Sequence, residues 1–336
     1  MGEPPTVAVR ECGRSSGWRT IVPADRSTRL LLVFLAAAVV VRLALLRLPL
    51  LWFDEATTGV MGLAVLRGQF PIYFFGQAFM GALADAYLAA PLYLVFGASA
   101  RTLEAVPVLL SLLWLGLMLR FAREAFGRRA ALFTLAVLAL PADSLLRWTH
   151  EARPHYVLIL PLGTLALLLT LRACQLPPGR AAPCFGVLGL VLGMAFWTNF
   201  LSVVYVPAVA TLILFLSPSP RHLWSALAVG PGFLLGSLPH WLYGLGHGTA
   251  VPEAGGWVGL SAVGGHLLGF TQGAWLILAG VPGAWRGTPG GLALAAGLGT
   301  VYGLAVVAAV RGYPAEAPSS RAAGRALAVL VGVNIA

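Results

Sequence analysis

The sequence predicts an all-α polytopic membrane protein, a bundle of about eight or nine transmembrane helices. Three observations predict it. Of 336 residues, 59% are hydrophobic and 10% charged, with a mean hydropathy of +0.85. Soluble domains run nearer about 45–50% apolar and about 25% charged. The apolar stretches are continuous over nearly the length that crosses a bilayer, whereas barrel strands alternate. All 22 basic residues are Arg, and most fall between the stretches, as expected of loops facing the cytoplasm.

A net charge of +10 would suggest nucleic acid in a soluble protein. Here it points to arginines beside anionic lipid, so membrane lipids and no nucleic acid are the expected partners. Cys12, Cys174 and Cys184 match no metal spacing and form no disulfide framework.

Residues 1–29 read as a cytoplasmic N-terminal tail, with Arg10, Arg14, Arg19, Arg26 and Arg29. The stretch Leu30 to Leu51 is an uncleaved first span: a signal peptide would start nearer the N-terminus and be shorter. Further spans are expected near 103–121, 130–147, 155–172, 183–198, 199–217, 223–242 and 291–310.

The run 80–97 is long enough to cross but contains Asp85 and Pro91. If it crossed, the loop with Arg123, Arg128 and Arg129 would lie outside, against the positive-inside rule. If it stays outside, that loop falls inside, and so do Arg172, Arg180 and Arg221. Residues 52–100 therefore read as one long external loop with interfacial helices. On the same count 263–290 stays external, which puts Arg311, Arg321 and Arg325 inside. The apolar run that begins at Ala326 ends at Ala336, too short to span, and reads as the start of a truncated helix in a domain covering 30–336.

In this topology most acids collect on the outer side: Asp54, Glu55, Asp85, Glu104, Asp143, Glu151 and Glu253. A carboxylate near hydrocarbon is costly, so such groups tend to be functional. Asp54-Glu55 follows the first span directly; adjacent acids there can serve as base and metal ligand, or form only a solvated boundary pair. The densest polar patch, Arg147-Trp148-Thr149-His150-Glu151-Ala152-Arg153-Pro154-His155, joins two spans on the same side. Its histidines are five apart with Pro154 between them, which excludes the zinc-protease helix motif. The patch is either a capped loop, or it sets Glu151 across a cavity from Asp54, with an Arg gripping phosphate.

Arg42, in the outer half of the first span, either snorkels to the interface or holds a lipid phosphate. His240, beside Trp241 and Tyr243, ends a span on the outer side. Gln69, Tyr73, Gln77 and Tyr87 could bond a sugar or satisfy interfacial backbone. The chain has no phosphate loop, no dinucleotide fingerprint and no nucleophile elbow. Paired broken helices of a transporter are not evident either.

Four blocks in order resemble one family. They are Asp54-Glu55-Ala56; residues 68–81 from Gly68-Gln69-Phe70-Pro71 onward; Ala89-Ala90-Pro91-Leu92-Tyr93 to Gly97, followed by Phe126-Gly127-Arg128-Arg129; and Gly236 to Tyr243 with its Pro239-His240-Trp241. The chain resembles the GT-C superfamily of integral-membrane glycosyltransferases, in particular bacterial dolichyl-phosphate-mannose mannosyltransferase-like members (family 39), over about residues 30–245. The Arg101-to-Pro107 stretch departs from the family's usual pattern.

The resemblance implies a GT-C-like bundle that moves a sugar from a polyprenyl-phosphate carrier to an acceptor. The reaction site would be extracytoplasmic, in a bacterial plasma (inner) membrane. Asp54 would be the general base, with Glu55 and Glu151 as catalytic partners. Arg153, Arg147, Arg42, His150, His155, Gln77, Tyr73 and His240 would bind substrate. A divalent metal ion, held by Asp54 and Glu151, is the one cofactor considered. The rival readings are a transporter or flippase of lipid-linked sugars and a non-catalytic membrane pseudoenzyme. A transporter would place its charges near the midplane rather than at one face.

Overall fold

The computed structural model describes residues 26–46, 51–75, 77, 80–81, 85–139, 141, 143–152, 156–217, 219–247, 281 and 288–310. The tail arginines before Arg26, Arg47, most of 263–290, and the run from Ala326 lie outside the described residues. The chain is an all-α membrane protein. Among the described residues the one pairing of extended backbone is an isolated antiparallel bridge, Tyr73 to Gly81.

The helices are α1 (Arg26–Leu45), α2 (Phe53–Leu66), α3 (Asp85–Phe96), α4 (Ala100–Phe126), α5 (Arg128–Ala139), α6 (Asp143–Trp148), α7 (Tyr156–Gln175) and α8 (Pro178–Thr198). A 3-10 turn (Phe200–Val204) leads into α9 (Tyr205–Leu216), then α10 (Pro220–Ala226), α11 (Val229–Gly236), α12 (Leu238–His247) and α13 (Pro289–Val310). Among the described residues, α4, α7 and α8 are each long and apolar enough to cross a membrane.

Two of the expected runs are interrupted. The run 130–147 divides into α5 and α6 around Pro141, whose ring cannot continue the hydrogen-bond ladder. The run 223–242 divides into α10, α11 and the start of α12, with Ser237 as a one-residue break. Pro220 stands at the first turn of α10, where its missing N–H costs nothing. Gly127 turns α4 into α5 with φ of 90°, a conformation that side chains disfavour.

Helices α4 and α7 run side by side in the same direction. Near their starts, Leu103, Val106 and Leu110 of α4 share a core with Val157 of α7. Near their ends, Phe121 and Ala125 pack with Leu168 and Leu171. Midway, the Trp114 indole donates to Thr164 Oγ1 at 3.2 Å. At the far end Glu124 accepts from Arg172 at 2.7 Å and from Arg120 at 2.8 Å. That end also carries Arg123, Arg128 and Arg129 around the α4–α5 turn.

The core is continued by α8, which packs on α7 and α11 around Phe185, Leu188, Val191 and Leu192. The α8–α11 contact is backbone on backbone. A Cβ on Gly189 would collide with the Val229 carbonyl and come within 2.8 Å of Phe233 N. A Cβ on Gly193 would collide with the Phe233 carbonyl and reach Ser237 N at 2.8 Å. From the other side, Gly232 and Gly236 would strike the carbonyls of Gly186 and Leu190. Small residues that let two helix backbones touch are the usual means of tight association in lipid, where burial of apolar surface gives no drive.

Arg42 faces the bundle. It is 1% exposed, and its guanidinium donates to Ser111 Oγ at 3.2 Å, to the Ala38 carbonyl at 3.2 Å and to the Leu138 carbonyl at 3.1 Å. The expectation of snorkelling to the interface is thereby corrected. Three acceptors from α1, α4 and the end of α5 satisfy the head group inside, so it has no need to reach water. The same burial keeps it from lipid head groups in this structure.

Candidate functional site

Trp52 to Glu55 opens α2, and Glu55 is the third residue of that helix. Its Oε2 accepts the Trp52 N–H at 2.7 Å. This is the reach-back half of a capping box, in which an acid at the third position satisfies an orphan amide at the helix start. Both Asp54 and Glu55 lie in the first turn, where the helix dipole favours negative charge.

Glu55 does more than cap. Its Oε1 accepts the N–H of Ala152 at 3.0 Å, a bond across ninety-seven residues. Glu55 is 1% exposed and Ala152 is fully buried. Ala152 sits in the core cluster of α3, α4 and α7, beside Ala89, Tyr93 and Val157. One buried carboxylate therefore ties the start of α2 to the loop before α7. Its chain neighbour Asp54 is exposed, and Glu151, next to Ala152, is half-buried. The tether places these two sequence-predicted acids on either side of a single hydrogen-bonded joint.

The rest of the polar loop is compact. The His150 and Glu151 amides both donate to the Arg147 carbonyl, at 2.9 and 2.8 Å. Thr149 is buried and its hydroxyl donates to the Leu146 carbonyl. Burial pushes the His150 imidazole below its ordinary range, so it stands neutral near pH 7. Its Nε2 is buried without a partner. Arg147 is exposed on the last turn of α6. Arg153 and His155 lie outside the described residues.

A second group forms where the segment after α2 meets the ends of α8 and α12. Tyr73 Oη and His240 Nδ1 are 2.7 Å apart and both buried. The Tyr73 ring meets Tyr243 edge-on at 4.7 Å. Burial, and then the neighbouring Tyr243, raises the Tyr73 pKa, so the phenol keeps its proton. Tyr73 and His240, expected as sugar ligands, satisfy each other here. Gln77 is exposed on the turn of the same segment. Neither this group nor Arg42 has a direct bond to the Asp54–Glu151 joint among the described residues.

Asp85 and Glu104 are buried near the starts of α3 and α4. The Glu55–Ala152 bond lies before the start of α7, and the Glu124–Arg172–Arg120 network lies at the opposite end of the α4–α7 pair. Among the described residues no three His, Cys, Asp or Glu side chains are grouped to hold a metal ion. Glu55 already spends both oxygens on backbone amides. The described residues therefore do not by themselves make up a three-ligand metal centre, and no step below is routed through a metal.

Sequence reasoning did not isolate Trp197 and Asn199 at the end of α8, whose buried side-chain nitrogens lack partners. It had no signal for them beyond the turn at Asn199. It also gave Glu55 a catalytic part beside the base Asp54, not a capping one. Its spacing three residues after Trp52 is the trace of the capping role.

Glu55→Gln tests the tether. Gln offers one acceptor oxygen and turns an N–H₂ toward one of the two backbone amides, so a bond is lost and a buried donor is left unmatched. The expected destabilisation is about 1–3 kcal/mol, read as a lower melting temperature in detergent. An unchanged melting temperature would show that the joint does not hold the loop.

Residues 80–243 match the family model described as dolichyl-phosphate-mannose-protein mannosyltransferase. No curated protein and no solved structure matches the chain. The matched stretch runs from the segment before α3 to the middle of α12 and includes the Ala152 loop. It leaves α2, with Asp54 and Glu55, outside.

Proposed function

We propose, from the match of residues 80–243 to the dolichyl-phosphate-mannose-protein mannosyltransferase model, that this membrane protein is a GT-C mannosyltransferase-like enzyme that moves a sugar from a polyprenyl-phosphate carrier to a hydroxyl acceptor at the Asp54-bearing end of its bundle. The observation that carries this reading is the Glu55 joint, which sets the Asp54 helix against the Glu151 loop. The Arg-rich end faces the cytoplasm by the positive-inside rule. The Asp54-bearing end is then extracytoplasmic, where lipid-linked sugars rather than nucleotide sugars serve as donors.

In the proposed step the acceptor oxygen attacks the anomeric carbon of the donor. A new C–O bond forms and the anomeric C–O bond to phosphate breaks, with inversion. Asp54, exposed on the first turn of α2, takes the acceptor proton as general base. The electron pair leaves with the polyprenyl phosphate. Arg147, on the loop that Glu55 holds, stabilises the charge growing on that phosphate through its planar fork. Glu151 orients the acceptor hydroxyl. Glu55 acts through the other two, as a positioning residue. The neutral His150 gives the site a hydrogen-bonding group without adding charge.

The experiment is a transfer assay with the purified chain, labelled polyprenyl-phosphate-mannose and a membrane extract as acceptor pool. Label moving from the lipid carrier to a second product is expected. Label that stays on the carrier with every extract, or returns only as free sugar, would overturn the reading.

A further inference from the structure

The end of α8 carries polar groups that the proposed reaction leaves unused. Asn199 is its C-cap and is 2% exposed. Its Oδ1 accepts the Leu201 N–H at 3.0 Å, while its Nδ2 is buried with no hydrogen-bond partner. The Trp197 Nε1, two residues earlier, is buried and unpartnered as well. A donor that has given up water and gained nothing is costly, and folded proteins keep few of them without a reason such as a ligand. Here two stand at one helix end.

Their surroundings are built. The Gly81 N–H donates to the Trp197 carbonyl at 3.0 Å and the Thr198 carbonyl at 3.2 Å. A Cβ at Gly81 would lie 2.6 Å from that Trp197 oxygen and 2.9 Å from the indole nitrogen. Only glycine lets the segment after α2 close over the indole edge. Tyr73, paired in the bridge with Gly81, bonds His240. The His240 ring in turn meets Phe196 and Phe200 edge-on. Neutral donors set among aromatic rings match a sugar, which has apolar C–H faces and hydroxyl edges. A phosphate would call for arginine instead.

We propose that Trp197 Nε1 and Asn199 Nδ2 form a sugar-binding subsite, donating to hydroxyl or ring oxygens once Gly81 draws back from the indole. This deepens the reading above and rests on it, by assigning recognition of the transferred sugar to the end of α8.

The test is equilibrium binding of short-chain polyprenyl-phosphate-mannose to the full chain in detergent, without acceptor, and of the same polyprenyl phosphate lacking the sugar. Trp197→Phe keeps the ring and removes the N–H. Its melting temperature should stay level or rise, because an unmatched donor is gone. Its affinity for the sugar lipid should fall about three- to tenfold, the loss of one hydrogen bond. Affinity for the bare lipid phosphate should not change.

Asn199→Ser keeps a side-chain oxygen to accept from Leu201 and withdraws the amide nitrogen without burying a charge. It should act in the same direction, and it carries the test should the Phe variant fail to fold. Equal affinity of variant and wild type for the sugar lipid overturns the subsite. So does an equal loss for both lipids, which would mean that phosphate is what is read. A wild type that fails to prefer the sugar lipid overturns it too. A wild type that prefers the sugar lipid through these residues but transfers nothing overturns the transfer reading alone.

Discussion

Asp54→Asn is expected to leave a folded protein whose sugar transfer is at least about a hundredfold slower. The Asp54 side chain is exposed on the first turn of α2, and its backbone carbonyl, which accepts the Thr58 hydroxyl at 2.9 Å, is untouched by the change. Asn is isosteric and can still end a hydrogen bond, but it cannot take a proton. A positioned general base contributes about 10²- to 10⁴-fold, so the rate should fall at least about a hundredfold with an unchanged melting temperature. Single-turnover transfer from a labelled polyprenyl-phosphate sugar measures it. A variant with wild-type turnover would remove Asp54 from the chemistry. One that loses activity and stability together would make it a structural acid like its neighbour. The contrast with Glu55→Gln is the informative part: the buried acid should move the melting temperature, the exposed one only the rate.

Gly193→Val should have the largest effect on the fold. The new side chain would meet the Phe233 carbonyl of α11 and the amide of its C-cap Ser237, both backbone groups that cannot rotate away. Overpacking a close contact costs about 3 kcal/mol or more, and here the helices must separate to relieve it. We expect loss of monodisperse protein on size-exclusion chromatography. Gly189→Val should repeat the result against the Val229 carbonyl. Gly116→Ala is the control. It sits on α4 with nothing within 4 Å of the added Cβ, and the change should leave stability level or raise it by about 1 kcal/mol through helix propensity. Equal tolerance at Gly193 and Gly116 would show that the α8–α11 contact is not the close one described.

Much of this architecture was legible before any coordinates. Hydropathy marked α4, α7 and α8 where they are found, because each is nearly a bilayer long and bears little charge. The small-residue spacing of Gly189 to Gly193 and of Gly232 to Gly236 was also present to be read as a helix-contact motif. It was hidden by the apolar runs in which it lies. Interruptions were less legible. Pro141 interrupts one expected span and Pro239, two residues after the break at Ser237, lies in the other; a missing donor acts locally, and a windowed average of hydropathy does not register it.

The candidate site was legible as a list and not as an arrangement. Asp54, Glu55 and Glu151 stood out because carboxylates are rare in so apolar a chain. Their separate roles did not. Glu55 is told from Asp54 only by which way each side chain points. That follows from the turn of α2 that buries one and exposes the other. Arg42 went astray for a related reason: composition prices a charge against water or lipid, while the fold had brought it two acceptors from neighbouring helices beside one from its own.

From its sequence alone this protein is a helical membrane protein, and the positive-inside rule leads one to expect most acids at one face and most loop arginines at the other. Solvation decides those properties, and solvation is a sum over residues taken one at a time. What only the tertiary structure decided is which acid is free to react, which is spent as a tether, and which donors at the end of α8 still lack an acceptor. Those depend on contacts between residues far apart in the chain, Glu55 with Ala152 and Gly81 with Trp197. A hydrogen bond is directional and short, so no average along the chain can stand in for it.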